Sequence, residues 1–269
     1  MDIDTKLGLG LCGLVLAATA GLGLVRPEYK EPVKVKLEQR IVEKIDSKFS
    51  DEEKRYISDS IENIKGKYEL PFDIYFLKSK MIEDTMTTGR TFPMLGNDKE
   101  SKEDFINIFG KEKYSLLKGK DVIVLREIDK WKELDGEVGM WSSKYMPNDY
   151  RKLFFKGIVH EIFHVYGHRI IDDDIEIKVV KIDIDSKAYD KDGKNHPAHP
   201  SYYTYFWCGC PDALAEGKHE KKLRELNANE TFADAMALKA LKYIDDHIED
   251  KELVKKLEIY QKAMKRYEK

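Results

Sequence analysis

The sequence predicts a mixed α/β (α+β) fold with a small mixed sheet, a long central helix and a mostly helical C-terminal part. Three observations lead to this prediction. Apolar runs at residues 72–77 and 122–125 have the length of buried strands. Residues 51–68 and 147–168 instead repeat apolar side chains at helical spacing. The chain has 269 residues, which is enough for one large domain with a substantial core.

The predicted domain covers residues 26–269 and begins with a helical part at residues 28–68. Within that part, helices are predicted at residues 38–48 and 51–68, and Ser50 is a natural N-cap for the second helix. The two predicted strands then precede the central helix in the chain.

The C-terminal half contains a further predicted strand, a turn and two helices. Residues 175–184 alternate apolar and polar side chains, which indicates a strand or a hairpin arm. Residues 190–195 resemble a calcium loop but lack the bidentate glutamate of an EF-hand, so a turn is predicted there. The last two helices are predicted at residues 228–246 and 251–267, and the first of them is rich in alanine.

The most informative pattern is His160-Glu161-Ile162-Phe163-His164 within the central helix. A helix places residues four apart on one face, so His160 and His164 can bind the same zinc ion. Glu161 then lies beside the metal, where it can take the proton of a water that attacks a peptide carbonyl. The alternative is a helix whose histidines only pack.

A catalytic zinc ion normally has three protein ligands and one position for water, so a third ligand is expected. His168 lies roughly 12 Å along the helix axis from His160, which is too far to share the ion. In the longer pattern HExxHxxGxxH, the third histidine would fall at Ile170. Glu230 is the better candidate, and Asp234, four residues later on the same helix face, can accept the other ring N–H of a ligand histidine.

The two motifs, HEIFH at residues 160–164 and NETFAD at residues 229–234, resemble those of the gluzincins. This clan of zinc metallopeptidases includes the thermolysin and neprilysin families. The phrase ETFA also resembles the glutamate helix of anthrax lethal factor-type peptidases, so the family within the clan remains open. The resemblance implies a zincin-like fold with His160, His164 and Glu230 as zinc ligands. It also implies that Glu161 is the general base and that Asp234 is the partner of His160.

Transition-state stabilisation requires a donor that faces the developing oxyanion. Tyr203 is the preferred candidate and His199 the next, among a group of aromatic and histidine residues that also includes His196, Tyr202 and Tyr205. Packing in the core is the alternative role for each of them. The resemblance also implies an edge strand that binds the substrate backbone, and residues 136–143 are the candidate segment.

Charge is evenly mixed along the chain, with 47 lysines and arginines against 50 aspartates and glutamates. Lysines alternate with acidic residues and form no isolated basic block, so no nucleic-acid partner is expected.

The N-terminal segment at residues 1–25 contains an uncharged apolar run at residues 7–25 that has the length of a single transmembrane helix. Gly13, Ala17 and Gly21 follow the small-xxx-small spacing that allows close helix pairing in lipid, so this anchor could support a homodimer. The alternative is a signal peptide cleaved near Ala20, which would give a secreted protein.

The side of the membrane on which the domain lies is left open by the sequence. Positive charge follows the apolar run, at Arg26, Lys30, Lys34 and Lys36, and the positive-inside tendency would keep the domain in the cytoplasm. A signal peptide would instead place it outside the cell.

Three cysteines add little to the functional hypothesis. Cys12 lies within the apolar run, and Cys208 and Cys210 are too close in sequence for a relaxed disulfide framework. A reduced or structural pair is the preferred interpretation of Cys208 and Cys210, and a second metal site with His196 or His199 is the alternative.

The combined hypothesis is a membrane-associated zinc metallopeptidase that hydrolyses polypeptides. One alternative is a non-catalytic, membrane-tethered binding protein with a structural or vestigial zinc site, in which a fourth ligand such as His168 or Cys208 would close the water position. Another is a zinc-dependent hydrolase that acts on other substrates, because pocket shape rather than the metal selects the substrate.

Overall fold

The computed structural model describes residues 44–79, 89–129, 145, 149–185, 221–244 and 250–269, with the side chains of 183–185 and 221–227 excepted. The described residues form six helices and a sheet of three strands. The prediction of a mixed α/β fold is therefore confirmed.

The helices are α1 (Asp51–Lys65), α2 (Lys99–Leu117), α3 (Tyr150–Ile170), α4 (Asp173–Asp185), α5 (Lys221–Ala240) and α6 (Lys251–Met264), which a 3₁₀ turn follows at Lys265–Tyr267. The strands are β1 (Ile74–Lys78), β2 (Gly89–Phe92) and β3 (Asp121–Leu125). β3 is the middle strand, parallel to β1 and antiparallel to β2. None of the described helices is both long and apolar enough to cross a membrane, and the predicted anchor at residues 7–25 lies outside the described residues.

The sheet is buried on both faces because its strands alternate their apolar side chains between two cores. Ile123 and Leu125 join the larger core, which also contains the apolar residues of α1, α3, α5 and α6. Val122 and Val124 point the other way, into a smaller core that includes Phe105 of α2. Every residue of β3 is buried as a result, which explains why its sequence reads as a continuous apolar run.

The N-terminus of α1 was predicted correctly because its capping signal is local. The Ser50 hydroxyl accepts a hydrogen bond from the Glu53 backbone N–H at 3.2 Å, and the Glu53 carboxylate accepts one from the Ser50 N–H at 2.7 Å. The same carboxylate also accepts from Lys78 at 2.8 Å and from the Ile128 N–H at 3.1 Å. Glu53 therefore connects α1 to the ends of β1 and β3.

Helix α3 is the central element, and it packs against α1, α5 and the strands β2 and β3. The Asp149 side chain caps it by accepting from the N–H groups of Arg151 and Lys152. The helix continues past Gly167 to Ile170. Gly167 does not cap the helix but lies at its contact with α5. A Cβ at Gly167 would lie 2.9 Å from Asn229 Oδ1 and 3.1 Å from Cδ1 of Phe232.

The predicted strand at residues 175–184 is wrong, because residues 173–185 form α4. The Asp172 side chain accepts from the Ile175 N–H at 2.9 Å, and acidic residues fill the first turn, both of which favour a helix start. Burial follows the helical period, since Val179 and Val180 are enclosed while Ile177 is 54% exposed.

Several other predicted helix boundaries were wrong, and helix α5 begins at Lys221 rather than at residue 228. Residues 45–48 are not helical, because Ile45 bridges Phe76 beside β1. Helix α5 ends at Ala240, where Lys242 adopts a left-handed φ of 60° and the Tyr243 N–H bonds to the Leu238 carbonyl oxygen. The strand β2 and the helix α2 were not predicted.

Candidate metal centre

Three side chains from α3 and α5 converge on one point. The ring nitrogens of His160 and His164 and a carboxylate oxygen of Glu230 all lie within 4.8 Å of one another. The two Nε2 atoms are 3.0 Å apart, and Glu230 Oε2 is 3.4 Å from each of them. This group could hold one metal ion.

The helices place these groups for simple geometric reasons. His160 and His164 are four residues apart on α3, so their rings lie on one face with centroids 4.6 Å apart. Glu230 is brought to the same face because α5 packs closely on α3, where Gly167 meets Phe232. Phe163 and Phe232 also pack edge to face across this contact, with ring centroids 6.0 Å apart.

The two histidines are buried and Glu230 is partly buried, so the charges of the centre interact strongly. Burial by itself would lower the pKa of His160, but Asp234 and Glu230 outweigh it and raise that pKa to about 9. Burial would raise the pKa of Glu230, but the two neighbouring histidines outweigh it and hold that pKa well below its usual value. Glu230 is therefore a carboxylate, the form that binds cations.

Asp234 lies behind His160, on the side away from the three converging atoms. Its Oδ1 is 3.6 Å from the Nδ1 of His160, and the side chain is fully buried. Lys156, one turn before His160 on α3, forms an ion pair with the same carboxylate oxygen. Burial would raise the pKa of Asp234, but Lys156 and His160 outweigh it and lower that pKa.

Glu161 meets the strand β2. The Thr91 hydroxyl lies 2.7 Å from Oε2 of Glu161 and 3.0 Å from the Glu161 carbonyl oxygen. Gly89 lies against the same side chain, since a Cβ there would be 2.9 Å from both Cγ and Oε1 of Glu161.

His168 does not belong to the converging group. Its ring centroid lies 6.5 Å from that of His164, one turn further along α3. Burial, His164 and Arg169 lower the pKa of His168 to about 3, so its imidazole is neutral.

Several predicted site residues lie outside the described residues. They are the oxyanion candidates Tyr203 and His199, the cysteines Cys208 and Cys210, and the candidate substrate strand at residues 136–143.

The residues that sequence reasoning missed are Gly89, Thr91 and Lys156. Lys156 had a local signal, because it lies four residues before His160 and therefore on the same helix face as the two histidines. Thr91 is 70 residues from Glu161, and no periodicity in the sequence connects the two.

Two imidazoles and one carboxylate form a donor set that suits first-row divalent cations. Glu161 is not one of these three ligand residues, but its carboxylate lies beside them. Comparison of the chain with protein-family models, curated proteins and solved structures finds no significant match.

Proposed function

We propose that the protein is a zinc-dependent metallopeptidase with a zincin-like fold. The observation that carries this proposal is the convergence of His160, His164 and Glu230 with Glu161 beside them. A metal with a neighbouring carboxylate is the arrangement that activates water for hydrolysis.

The distances fit a tetrahedral zinc ion. Nitrogen and oxygen ligands bind zinc at about 2.0–2.1 Å, so two ligands of a tetrahedral ion lie roughly 3.3–3.4 Å apart. The separations here are 3.0, 3.4 and 3.4 Å. The side chains therefore need little movement to bind the ion.

His168 does not close the site as a fourth ligand, and the other candidate for that position, Cys208, lies outside the described residues. Within the described part of the chain, the group contains three ligand residues, and His168 is not among them. A structural zinc site normally has four protein ligands, whereas a catalytic site has three and leaves one position open.

When bound, zinc would lower the pKa of a coordinated water and polarise the substrate carbonyl. Glu161 accepts the proton of the attacking water and later transfers it to the leaving amine. Asp234 orients the ring of His160 through the nitrogen that faces away from the metal. Tyr203 and His199 are the proposed donors to the oxyanion.

A polypeptide substrate is supported by the position of β2. This strand is at the edge of the described sheet, and it passes directly over Glu161. An extended peptide that paired with the outer edge of β2 would run alongside the metal centre. Residues 7–25 would tether the enzyme to a membrane, or would direct its secretion if cleaved near Ala20.

The test measures zinc content and peptide hydrolysis on the full chain, purified in a mild detergent. We expect about one zinc per chain by elemental mass spectrometry and cleavage of members of a fluorogenic peptide library. Glu161→Gln should keep the zinc and lower kcat by about 10²–10⁴-fold, because glutamine cannot accept the proton.

Glu258→Gln is the matched control, since Glu258 is exposed on α6 and the same substitution there should leave kcat unchanged. Folded protein that binds neither zinc nor another first-row divalent metal would refute the metal centre. Bound zinc without hydrolysis of any peptide would instead favour a structural or binding role for the site. Full turnover in Glu161→Gln would refute the assigned base.

A further inference from the structure

Strand β2 has two different faces, and one of them meets Glu161. Arg90 and Phe92 point towards α2, where Arg90 pairs with Asp104 at 2.5 Å. Gly89 and Thr91 alternate with them and therefore point towards α3. Both residues on this face contact the same carboxylate.

The Thr91 hydroxyl has one proton to donate but lies near two acceptors on Glu161. The carboxylate oxygen Oε2 is the closer one, at 2.7 Å against 3.0 Å for the carbonyl oxygen. A carboxylate is also the stronger acceptor, so the proton is assigned to Oε2. This bond compensates in part for the burial of Glu161, which is only 7% exposed.

Gly89 controls the position of the other carboxylate oxygen. A Cβ at Gly89 would lie 2.9 Å from Oε1 of Glu161, which is closer than packed atoms approach, and 3.1 Å from its Cδ. Any larger residue would therefore displace the carboxylate from β2. Thr91 attracts the carboxylate towards the strand, and Gly89 leaves the space that this position requires.

We propose that Thr91 and Gly89 are the positioning residues for Glu161, and that β2 holds the general base in its productive orientation. The proposal rests on the proposed function, because it assigns a role in proton transfer from water. Proton transfer requires a defined geometry, and a carboxylate with several accessible rotamers would spend less time within reach of the water.

The first test replaces Thr91 in the zinc-loaded full chain. Thr91→Val keeps the shape but removes the donor, and we expect kcat to fall by about 10–100-fold with KM nearly unchanged. Thr91→Ser retains the hydroxyl and should restore most of the rate. Zinc content should stay at the wild-type value in both variants, and Tm should fall only slightly in Thr91→Val, where the bond to the buried carboxylate is lost. Retained zinc and a cooperative unfolding transition separate positioning from damage to the fold.

The second test approaches the same carboxylate from the other side. Gly89→Ala should lower kcat with zinc retained, because the added Cβ displaces Glu161. Arg90→Met is the matched control on the same strand, since its side chain points away from Glu161 towards Asp104. Arg90→Met should change kcat by less than about twofold if β2 positions Glu161 only through Gly89 and Thr91.

A crystal structure of zinc-loaded Thr91→Val supplies a readout that does not depend on turnover. We expect the Glu161 carboxylate to leave its position against β2. A wild-type kcat in Thr91→Val, or an unmoved carboxylate, would overturn the assignment of Thr91 while the peptidase proposal stands. A wild-type protein that binds zinc but cleaves no peptide would overturn the peptidase proposal, and the role of β2 with it.

Discussion

Lys156 is a cation enclosed in the core, only 5% exposed, one helical turn before a candidate metal ligand. Lysine is rarely buried without a partner, and Asp234 is the partner here. Asp234 is itself fully buried, so its charge would be costly without Lys156. The pair thus allows a charged carboxylate to stand behind His160.

Lys156→Met is predicted to destabilise the protein by about 3–5 kcal/mol, since it removes the lysine partner of the buried Asp234 carboxylate. The double variant Lys156→Met with Asp234→Asn should recover part of this loss, because the buried negative charge is gone. Chemical denaturation of each protein measures the free energy of unfolding. Lys178→Met is the control: it removes an exposed lysine paired with Asp174 and should change stability little. An equal loss of unfolding free energy in Lys156→Met and Lys178→Met would contradict this explanation.

For single residues of the candidate site, the sequence predicted the roles that depend on a spacing of a few positions along the chain. His160 and His164 are related by helical spacing, and Glu230 and Asp234 repeat the same spacing on a second helix. Thr91 could not be found in this way, because its contact with Glu161 depends on how the sheet packs against α3.

The contact between α3 and α5 determines whether the three candidate metal ligands meet. Gly167 lies at the closest approach of the two helices, against Asn229 and Phe232. Tyr260 of α6 supports α5 from behind, with its hydroxyl 3.3 Å from the Ala228 carbonyl oxygen. The position of Glu230 relative to His164 therefore depends on tight packing over several residues.

Gly167→Ala is predicted to destabilise the protein although alanine is the better helix former. Helix propensity favours alanine by about 1 kcal/mol, whereas overpacking costs about 1–3 kcal/mol. The added Cβ meets atoms of a neighbouring helix at 2.9 and 3.1 Å, so we expect overpacking to dominate and zinc affinity to fall as α5 moves away. Thermal unfolding and competition with a zinc chelator measure the two effects.

Gly66→Ala is the control for this prediction. Gly66 also has a helical φ, of −59°, but a Cβ there meets only carbonyl oxygens of its own helix, the nearer at 3.3 Å. This variant should keep its stability and its zinc affinity. If Gly167→Ala behaved like Gly66→Ala, the close approach of α3 and α5 would not be a constraint.

Elements with complete local signals were predicted well, and those with conflicting signals were not. Helix α1 has a capping box and a clear apolar face, and α3 has a capping aspartate. Residues 175–184 have β-branched residues in alternation, but the acidic cap at Asp172 and packing against α5 and α6 favour α4. Strand β2 has only four residues, and its pairing with β3 stabilises it more than its own sequence does.

At the scale of the whole molecule, the candidate metal centre connects two distant parts of the chain. His160 and His164 belong to the helix beside the sheet, while Glu230 belongs to the C-terminal helices. The larger core joins the same two parts, since α3 and α5 pack against each other. The fold therefore supports the centre, and a bound ion should in turn stabilise the fold.

Zinc is predicted to raise the Tm of the full chain, because an ion that binds only the folded protein shifts the unfolding equilibrium. At a free concentration of about 1,000 times Kd, the gain is about 4 kcal/mol, or on the order of 10 °C. Glu230→Ala should lose most of this increase, since it removes one of three ligands. His168→Ala should keep the zinc-dependent increase in Tm, even where the substitution changes the Tm of the metal-free protein. Thermal unfolding of each protein, once with zinc and once with a chelator, measures its zinc-dependent increase in Tm. If His168→Ala lost more of this increase than Glu230→Ala, His168 would be assigned as the third ligand.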